Sequence, residues 1–348
     1  MIISMSPTAT EDDIQGVIKR LEDDGWGGEV IRGSQRVVIG VVGTGFPPDY
    51  LDHVEVLPGV DNVARITKPY KLGSRDFRPI DTVVDVRGVK IGGGEFMVMA
   101  GPCACESREQ VLETAEAAAA CGAHLFRAGA YKPRTSPYSF QGLGEEGLKY
   151  MAEARDRTGL PLITEVMEPG DIDLIDQYTD IFQIGTRNMQ NFPLLRAVGQ
   201  RGKPVMLKRG MSATVEDWLM ASEYILAEGN RQVILCERGI RTFETAVRNT
   251  LDIAIVPLVK RLSHLPVIVD PSHGTGKWYL VKPAALAAAA VGADGIMIEI
   301  HPDPDKAWSD GPQALTPANF ADLMQSLEGV VAATGRKMAQ PPVATALA

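Results

Sequence analysis

FMVMAGPC, residues 96–103, opens a rhythm that holds through most of the chain. Short apolar runs of the same kind return as LFRAGA (125–130), PLITEV (161–166), IFQIG (181–185) and PVMLKRG (204–210). Three more complete the set: QVILCERG (232–239), PVIVDPSHG (266–274) and GIMIEIHP (295–302). The first and last runs start 199 positions apart across seven intervals, about 28 residues per unit. Near-continuous apolar strands separated by helices imply a parallel sheet buried on both faces. Eight such units in residues 96–335 match the arithmetic of a closed (β/α)8, or TIM, barrel. An open doubly wound sheet is the alternative, but even spacing favours closure. The last helix is expected over about Pro317–Ala333, and the Ala-rich stretch 284–290 reads as a helix packed on the barrel. Residues 336–348 read as a flexible tail.

Toward the N-terminus the pattern changes. Residues 1–67 read strand, helix, strand, strand, helix, strand. MIISM is the first strand, and a helix over about Thr10 to Asp24 puts Ile14, Val17, Ile18 and Leu21 on one face. GEVIR and RVVIGVV flank Gly33-Ser34-Gln35 at hairpin spacing, Pro47-Pro48 opens a short helix, and NVARI closes the unit. That is the βαββαβ order of a small ferredoxin-like α+β domain. It holds no cluster of catalytic residue types. Residues 68–95 read as a polar linker and then a hairpin, TVVDVRGVKIGG, turning near Arg87-Gly88.

The 348 residues carry 35 Lys+Arg against 44 Asp+Glu, a net charge of −9, which excludes a generally basic nucleic-acid coat. Hydrophobic residues make up 45%, enough to build a core and to exclude global disorder. Four cysteines do not make a disulfide scaffold. No run reaches the ~18–20 apolar residues that span a bilayer. MIISMSPTATEDD lacks the basic and apolar regions of a secretion signal, so a cytoplasmic location is expected.

Barrel chemistry sits at the C-terminal ends of the strands. Strand 1 ends in Cys103, strand 2 carries Arg127 and leads to Lys132 and Arg134, and strand 3 ends in Glu165. Strand 4 leads to Gly185-Thr186-Arg187, strand 5 to Lys208-Arg209 and strand 6 to Cys236-Glu237-Arg238. Strand 7 ends Asp270-Pro271-Ser272-His273, strand 8 Glu299-Ile300-His301, and Asp310 lies in the last loop. Strands also end in polar residues simply because they end at the surface. Here, however, the types sort by chemistry. Arg127, Lys132, Arg134, Arg187, Lys208 and Arg238 would repel one another without an anionic ligand, and arginine forks suit phosphate. The requirement reads as one or two phosphorylated substrates, unless each cation pairs with a local carboxylate.

Cys103, His273, Glu299 and Asp310 form a second subset, able to hold a divalent ion. Thiolate, imidazole and carboxylates together leave Mn, Fe, Co and Zn open. His301 is an alternative ligand, and His124 reads as an ordinary helix-end histidine. Gly274-Thr275-Gly276-Lys277 lacks the Walker spacing, and Cys103 and Cys105 form CxC rather than CxxC. Cys121, in an Ala-rich helix, reads as packing.

Several long segments, each at a strand end, carry a resemblance: AGPCACES, FRAGAYKPRTSPYSFQGLG, QIGTRNMQNF, LKRGM, LCERGIRTFE, VDPSHGTGK and IEIHPDP. From near Lys71 to about residue 334 the chain resembles 3-deoxy-D-arabino-heptulosonate 7-phosphate (DAHP) synthase, and residues 1–67 resemble the ferredoxin-like regulatory domain of its type Iβ branch. The resemblance implies condensation of phosphoenolpyruvate with erythrose 4-phosphate, the entry to the shikimate pathway. It implies metal ligands at Cys103, His273, Glu299 and Asp310, with manganese favoured. It implies phosphoenolpyruvate contacts at Arg127, Lys132, Gly185, Thr186, Arg187, Lys208 and Arg238. The erythrose 4-phosphate motif falls on Lys132-Pro133-Arg134-Thr135-Ser136. Lys132 is the candidate proton donor; Glu165 has no assigned role. A homotetramer inhibited by tyrosine or phenylalanine is implied, and association with another enzyme such as chorismate mutase stays open. The nearest competitor, 3-deoxy-D-manno-octulosonate 8-phosphate synthase, acts on arabinose 5-phosphate. Its counterpart of KPRTS differs and it lacks the N-terminal domain.

Overall fold

A computed structural model describes residues 1–33, 36–43, 46–47, 49–64, 69–134 and 136–342. Two compact units divide the chain: Met1–Ile80 with Leu262–His264, and Asp81–Arg261 with the residues from Leu265 onward.

In the first unit, β1 (Ile2–Met5), α1 (Glu11–Asp23), β2 (Gly27–Arg32), β3 (Val37–Val42), α2 (Tyr50–Glu55) and β4 (Val60–Ala64) take the expected βαββαβ order. All pairings are antiparallel, in the order β2-β3-β1-β4. Thr10 caps α1 through a reciprocal box with Asp13, which satisfies two end donors. Ile14, Val17 and Leu21 bury the expected face of α1 against Ile3, Met5, Ile39 and Val41. Of the sequence expectations here, Ser34, Gln35, Pro48, Arg65 and Ile66 lie outside the described residues.

The second unit opens with the hairpin β5 (Val84–Val86) and β6 (Val89–Ile91). Its turn holds Arg87 at φ 50° and Gly88 at φ 89°, the left-handed pair that matches strand twist in a two-residue loop. Eight parallel strands come next: β7 (Glu95–Gly101), β8 (Leu125–Arg127), β9 (Leu162–Val166), β10 (Ile181–Ile184), β11 (Val205–Lys208), β12 (Val233–Glu237), β13 (Val267–Val269) and β14 (Gly295–Glu299). Each pairs with its successor, and β14 pairs back on β7 from Gly295↔Met97 to Glu299↔Gly101. The sheet is a closed barrel. Around it lie α3 (Arg108–Ala120), α4 (Glu145–Thr158), α5 (Ile172–Asp176), α6 (Phe192–Gly199), α7 (Val215–Leu226) and α8 (Ile255–Leu262). The short α9 (Pro271–Thr275), then α10 (Trp278–Ala290) and α11 (Pro317–Ala333), complete the ring. α10 buries Val281, Ala285, Ala288 and Ala289; their small side chains let the helix approach closely.

Residues 336–342 differ from the loose tail that the sequence suggests. Lys337–Met338 form β15 beside the start of β7, and the Ala339 amide donates to Phe96 O at 2.9 Å. Two backbone pairings and a buried alanine anchor the segment; residues 343–348 lie outside the described ones.

Inside the barrel, side chains step by two along each strand, as the pleat requires. Near the N-terminal ends, the floor, Met97, Met99, Leu125, Ile163, Ile181, Met206, Ile234, Ile268 and Met297 form one buried cluster. Val84, Val86, Val89 and Ile91 of the hairpin join that cluster and close the floor. Two residues further along, Leu125 gives way to Arg127, Ile163 to Glu165, Ile181 to Gln183, Met206 to Lys208, Ile268 to Asp270 and Met297 to Glu299. One barrel thus carries an apolar end and an ionised one.

Candidate active site

The mouth encloses a cavity of about 420 Å³. Arg127, Lys132, Arg134, Arg187, Lys208 and Arg238, the six cations singled out in the sequence, all line it. Ser136, Gly185, Thr186, Glu165, His273 and Asp310 line it too. Thr135 lies outside the described residues. Gly185 leaves room for the Glu165 carboxylate: a Cβ there would meet Glu165 Oε1 at 2.0 Å and push it aside. Gln183 Nε2 donates to the other Glu165 oxygen at 3.1 Å and orients the carboxylate into the cavity.

Local pairing accounts for only part of the positive charge. Arg127 Nη1 donates to Glu299 Oε1 at 2.6 Å, and Lys208 Nζ to Asp270 Oδ2 at 2.6 Å. Among the described residues, Arg134, Arg187 and Arg238 have no carboxylate within 4.0 Å. Arg134 spends Nε on Phe140 O, while its Nη2 is buried without a hydrogen-bond partner. Unspent guanidinium donors facing a cavity are what an oxyanion of phosphate satisfies.

Against this wall stand Cys103, His273, Glu299 and Asp310, whose ligand atoms all lie within 4.8 Å of one another. α9 aims His273: Asp270 caps the helix by accepting from the His273 amide at 3.0 Å. Asp270 Oδ2 also lies 2.7 Å from His273 Nδ1, which turns Nε2 toward Glu299 Oε1 at 3.2 Å. A carboxylate behind a ligating histidine is the usual support of a metal site. Asp310 adopts φ 57°, a left-handed conformation that a side chain disfavours, and such strain clusters at functional sites. Burial pushes the Cys103 thiol up to about 11, with the Glu299 charge adding to it and Lys132, its Nζ 3.1 Å from Sγ, opposing. Burial works against the Asp310 carboxylate too, yet the Arg248 guanidinium beside it holds it down to about 2. Burial pushes His273 below its ordinary value, leaving the imidazole neutral. A neutral imidazole, two ionised carboxylates and a thiol whose proton a cation can displace fit a divalent ion.

His301 does not join this cluster. Its Nε2 lies 3.3 Å from Glu106 Oε2, and its Nδ1 accepts from the Asp303 amide at 3.0 Å. His124 is buried between the Val98 amide and Ala339 O, as a structural histidine. Sequence reasoning missed Arg241, Arg248 and Asn249 in the cavity wall, and Gln313 behind it. These come from loops, where no strand period marks which residues turn inward. Sequence reasoning puts Asp270 at the end of strand 7 without a role; its support of His273 emerges only in the structure.

Fold and site place the chain among the (β/α)8-barrel enzymes that act through a metal centre. More particularly, it belongs to the DAHP synthetase I family, whose sequence model matches residues 78–333. A model of the DAHP synthase ferredoxin-like domain matches residues 1–68. The phospho-2-dehydro-3-deoxyheptonate aldolase of Thermotoga maritima is 49% identical over 340 residues, 97% of this chain and 100% of that protein. Its crystal structure, described as a DAHP synthase, superposes with a TM-score of 0.78 over 97% of this chain and 98% of that one. A truncated form of the 3-deoxy-D-arabino-heptulosonate 7-phosphate synthase from Thermotoga maritima, also 49% identical, gives 0.72 over 77% of this chain and 98% of that one. A 2-dehydro-3-deoxyphosphooctonate aldolase of Rhodopseudomonas palustris is 36% identical over 265 residues, 70% of this chain and 91% of that protein. No helix among the described residues is long and apolar enough to cross a membrane.

Proposed function

We propose that the barrel mouth condenses phosphoenolpyruvate with erythrose 4-phosphate and water, giving 3-deoxy-D-arabino-heptulosonate 7-phosphate and inorganic phosphate. The observation that carries this reading is the meeting of six cations that line one cavity with a four-ligand cluster that reaches it through His273 and Asp310. Arg127, Arg187, Lys208 and Arg238 hold the phosphate and carboxylate of phosphoenolpyruvate beside Gly185-Thr186. Arg134, with Thr135 and Ser136, takes the phosphate of the aldose. A C–C bond forms between C3 of phosphoenolpyruvate and the aldehyde carbon. Water adds its oxygen at C2, and phosphate leaves with the former enol oxygen by C–O cleavage. The fixed cations stabilise charge on both phosphates without reorganising. Lys132, held by Cys103 O at 2.8 Å and beside Cys103 Sγ, gives a proton to the new alkoxide. Cys103, His273, Glu299 and Asp310 hold the ion, which when bound supplies Lewis acidity toward the aldehyde oxygen. The donor set leaves Mn, Fe, Co and Zn open, and among them we favour manganese on the family resemblance.

The test is phosphate release from phosphoenolpyruvate with erythrose 4-phosphate or arabinose 5-phosphate, before and after chelation. Release with the four-carbon aldose, lost on chelation and restored by manganese, is expected. Preference for arabinose 5-phosphate would overturn the substrate, and turnover in metal-free protein would overturn the site.

The ferredoxin-like unit we read as a feedback module, serving a cytoplasmic homotetramer inhibited by tyrosine or phenylalanine. The truncated Thermotoga maritima enzyme supports treating the barrel as separable. Deleting residues 1–67 should leave turnover intact and remove inhibition by tyrosine and phenylalanine. Undiminished inhibition of the shortened enzyme would refute the regulatory role.

A further inference from the structure

Gln313 lies in the last loop and is only 2% exposed, although it contributes nothing to the cavity wall. The loop is zipped along β14: the Leu315 amide donates to Glu299 O at 2.8 Å, and the His301 amide to Leu315 O at 2.9 Å. That pairing sets Gln313 beside the Glu299 side chain. Gln313 Nε2 donates to Glu299 Oε2 at 2.6 Å and reaches Asp310 Oδ2 at 3.5 Å. Its carbonyl Oε1 accepts from Arg248 Nη1 at 2.7 Å, and Arg248 itself lies 3.2 Å from Asp310 Oδ2.

We propose that Gln313 is a positioning residue of the ligand cluster. Its amide fixes the rotation of Glu299 and braces Asp310, so that Glu299 Oε1 stays turned toward His273 Nε2 and the centre of the cluster. Glu299 shows how this works. Its Oε1 is held by Arg127 and faces His273 Nε2, and Gln313 is the donor that anchors Oε2. Without that donor the carboxylate can swing about its remaining bond to Arg127. A neutral amide does this without adding charge, so the negative balance of the cluster stays matched to a dication. A merely space-filling residue here would be apolar, because burying an amide requires all its bonds to be met. Both halves of this amide are met, and by groups of the site: a ligand on one side, a cavity arginine on the other.

This inference rests on the metal reading of the cluster, and the test separates the two. Full-length protein is stripped with a chelator and titrated with Mn²⁺ against a fluorescent chelator. It is also titrated with Co²⁺, whose thiolate absorption reports the Cys103 bond. Two variants are compared with the unaltered chain: Gln313→Met, which keeps length and loses the donor, and Gln313→Asn, which stays polar but falls short of Glu299. Both should bind Mn²⁺ ~10–100-fold more weakly and show an altered Co²⁺ spectrum, as expected for an outer-sphere partner. The unfolding midpoint of the metal-free form should not change. Unchanged Mn²⁺ affinity in either variant would overturn the proposal. So would a loss of affinity that tracks a fall in metal-free stability, since that is the signature of a structural role. If the unaltered chain gives no Co²⁺–thiolate band, the reading of the cluster itself fails, whatever the variants do.

Discussion

The two ends of the barrel are built from the same eight strands and do opposite work. At the floor, Leu125, Ile163, Met206, Ile234 and Met297 pack under a hairpin in a wholly apolar cluster. At the mouth, two residues along, Arg127, Lys208, Asp270 and Glu299 are equally buried and ionised. Burying charge costs several kcal/mol per ion and is only repaid by well-placed partners, so the mouth is no source of net stability. The floor is, because buried apolar area contributes ~25 cal/mol per Å² with no desolvation to offset. Stability and chemistry are thus separated along the strand axis by one pleat repeat, and substitutions at the two ends should fail in different ways.

The largest effect tests the mouth. Lys132→Met should lower kcat by ~10²–10⁴-fold, the usual contribution of a positioned proton donor. It should leave the thermal midpoint unchanged or higher, since a buried amine is replaced by an apolar chain of similar length. Steady-state turnover and a melting curve check both. Near-normal turnover would remove Lys132 from the mechanism, and a large loss of stability would blur the division between the ends.

How far that division is legible in the sequence depends on the strand period. The eight runs and their spacing are enough for the barrel, and the residues at the end of each run are enough for Cys103, Arg127, Lys208, His273 and Glu299. Those residues sit on strands or within a few positions of them, where backbone direction dictates where a side chain goes. Arg248 and Gln313 sit in loops joined to the site only by folding back: Arg248 through its amide to Thr275 O, Gln313 through Leu315 to β14. No period marks them. The tail escapes a sequence reading for a similar reason. RKMA has no helical pattern, but a two-residue strand needs none once β7 offers a free edge at Glu95–Phe96. Asp310 could be placed by resemblance, yet nothing local in the sequence announces its positive φ.

A smaller effect, in the opposite sense, tests the floor. Ile234→Ala removes a fully buried side chain from the floor cluster. It should destabilise the barrel by ~2–5 kcal/mol through lost transfer energy and a residual cavity. At a temperature where the variant remains folded, kcat and the metal requirement should match the unaltered enzyme. Denaturant unfolding alongside kinetics decides it. A kcat loss comparable with that of Lys132→Met would show that strain crosses the barrel and that the ends are not independent.

The smallest effect concerns pH at the floor. His124 accepts from the Val98 amide through Nδ1 and donates through Nε2 to Ala339 O, which is the neutral tautomer. Burial pushes the ring below its ordinary value, outweighing those two hydrogen bonds. The unfolded chain therefore takes up a proton near pH ~6.5 that the folded floor resists. Its contribution to stability is complete above that pH and is lost as the pH falls through it, because acid favours the state that binds the proton. His124→Gln keeps a donor and an acceptor but cannot titrate. In metal-free protein, the slope of the thermal midpoint between pH ~7.5 and ~5, a window spanning the free histidine value, should be shallower in this variant. An identical slope would assign the acid sensitivity to other groups, the buried ion pairs of the mouth foremost, and would move the pH-dependent part of stability to the other end of the barrel.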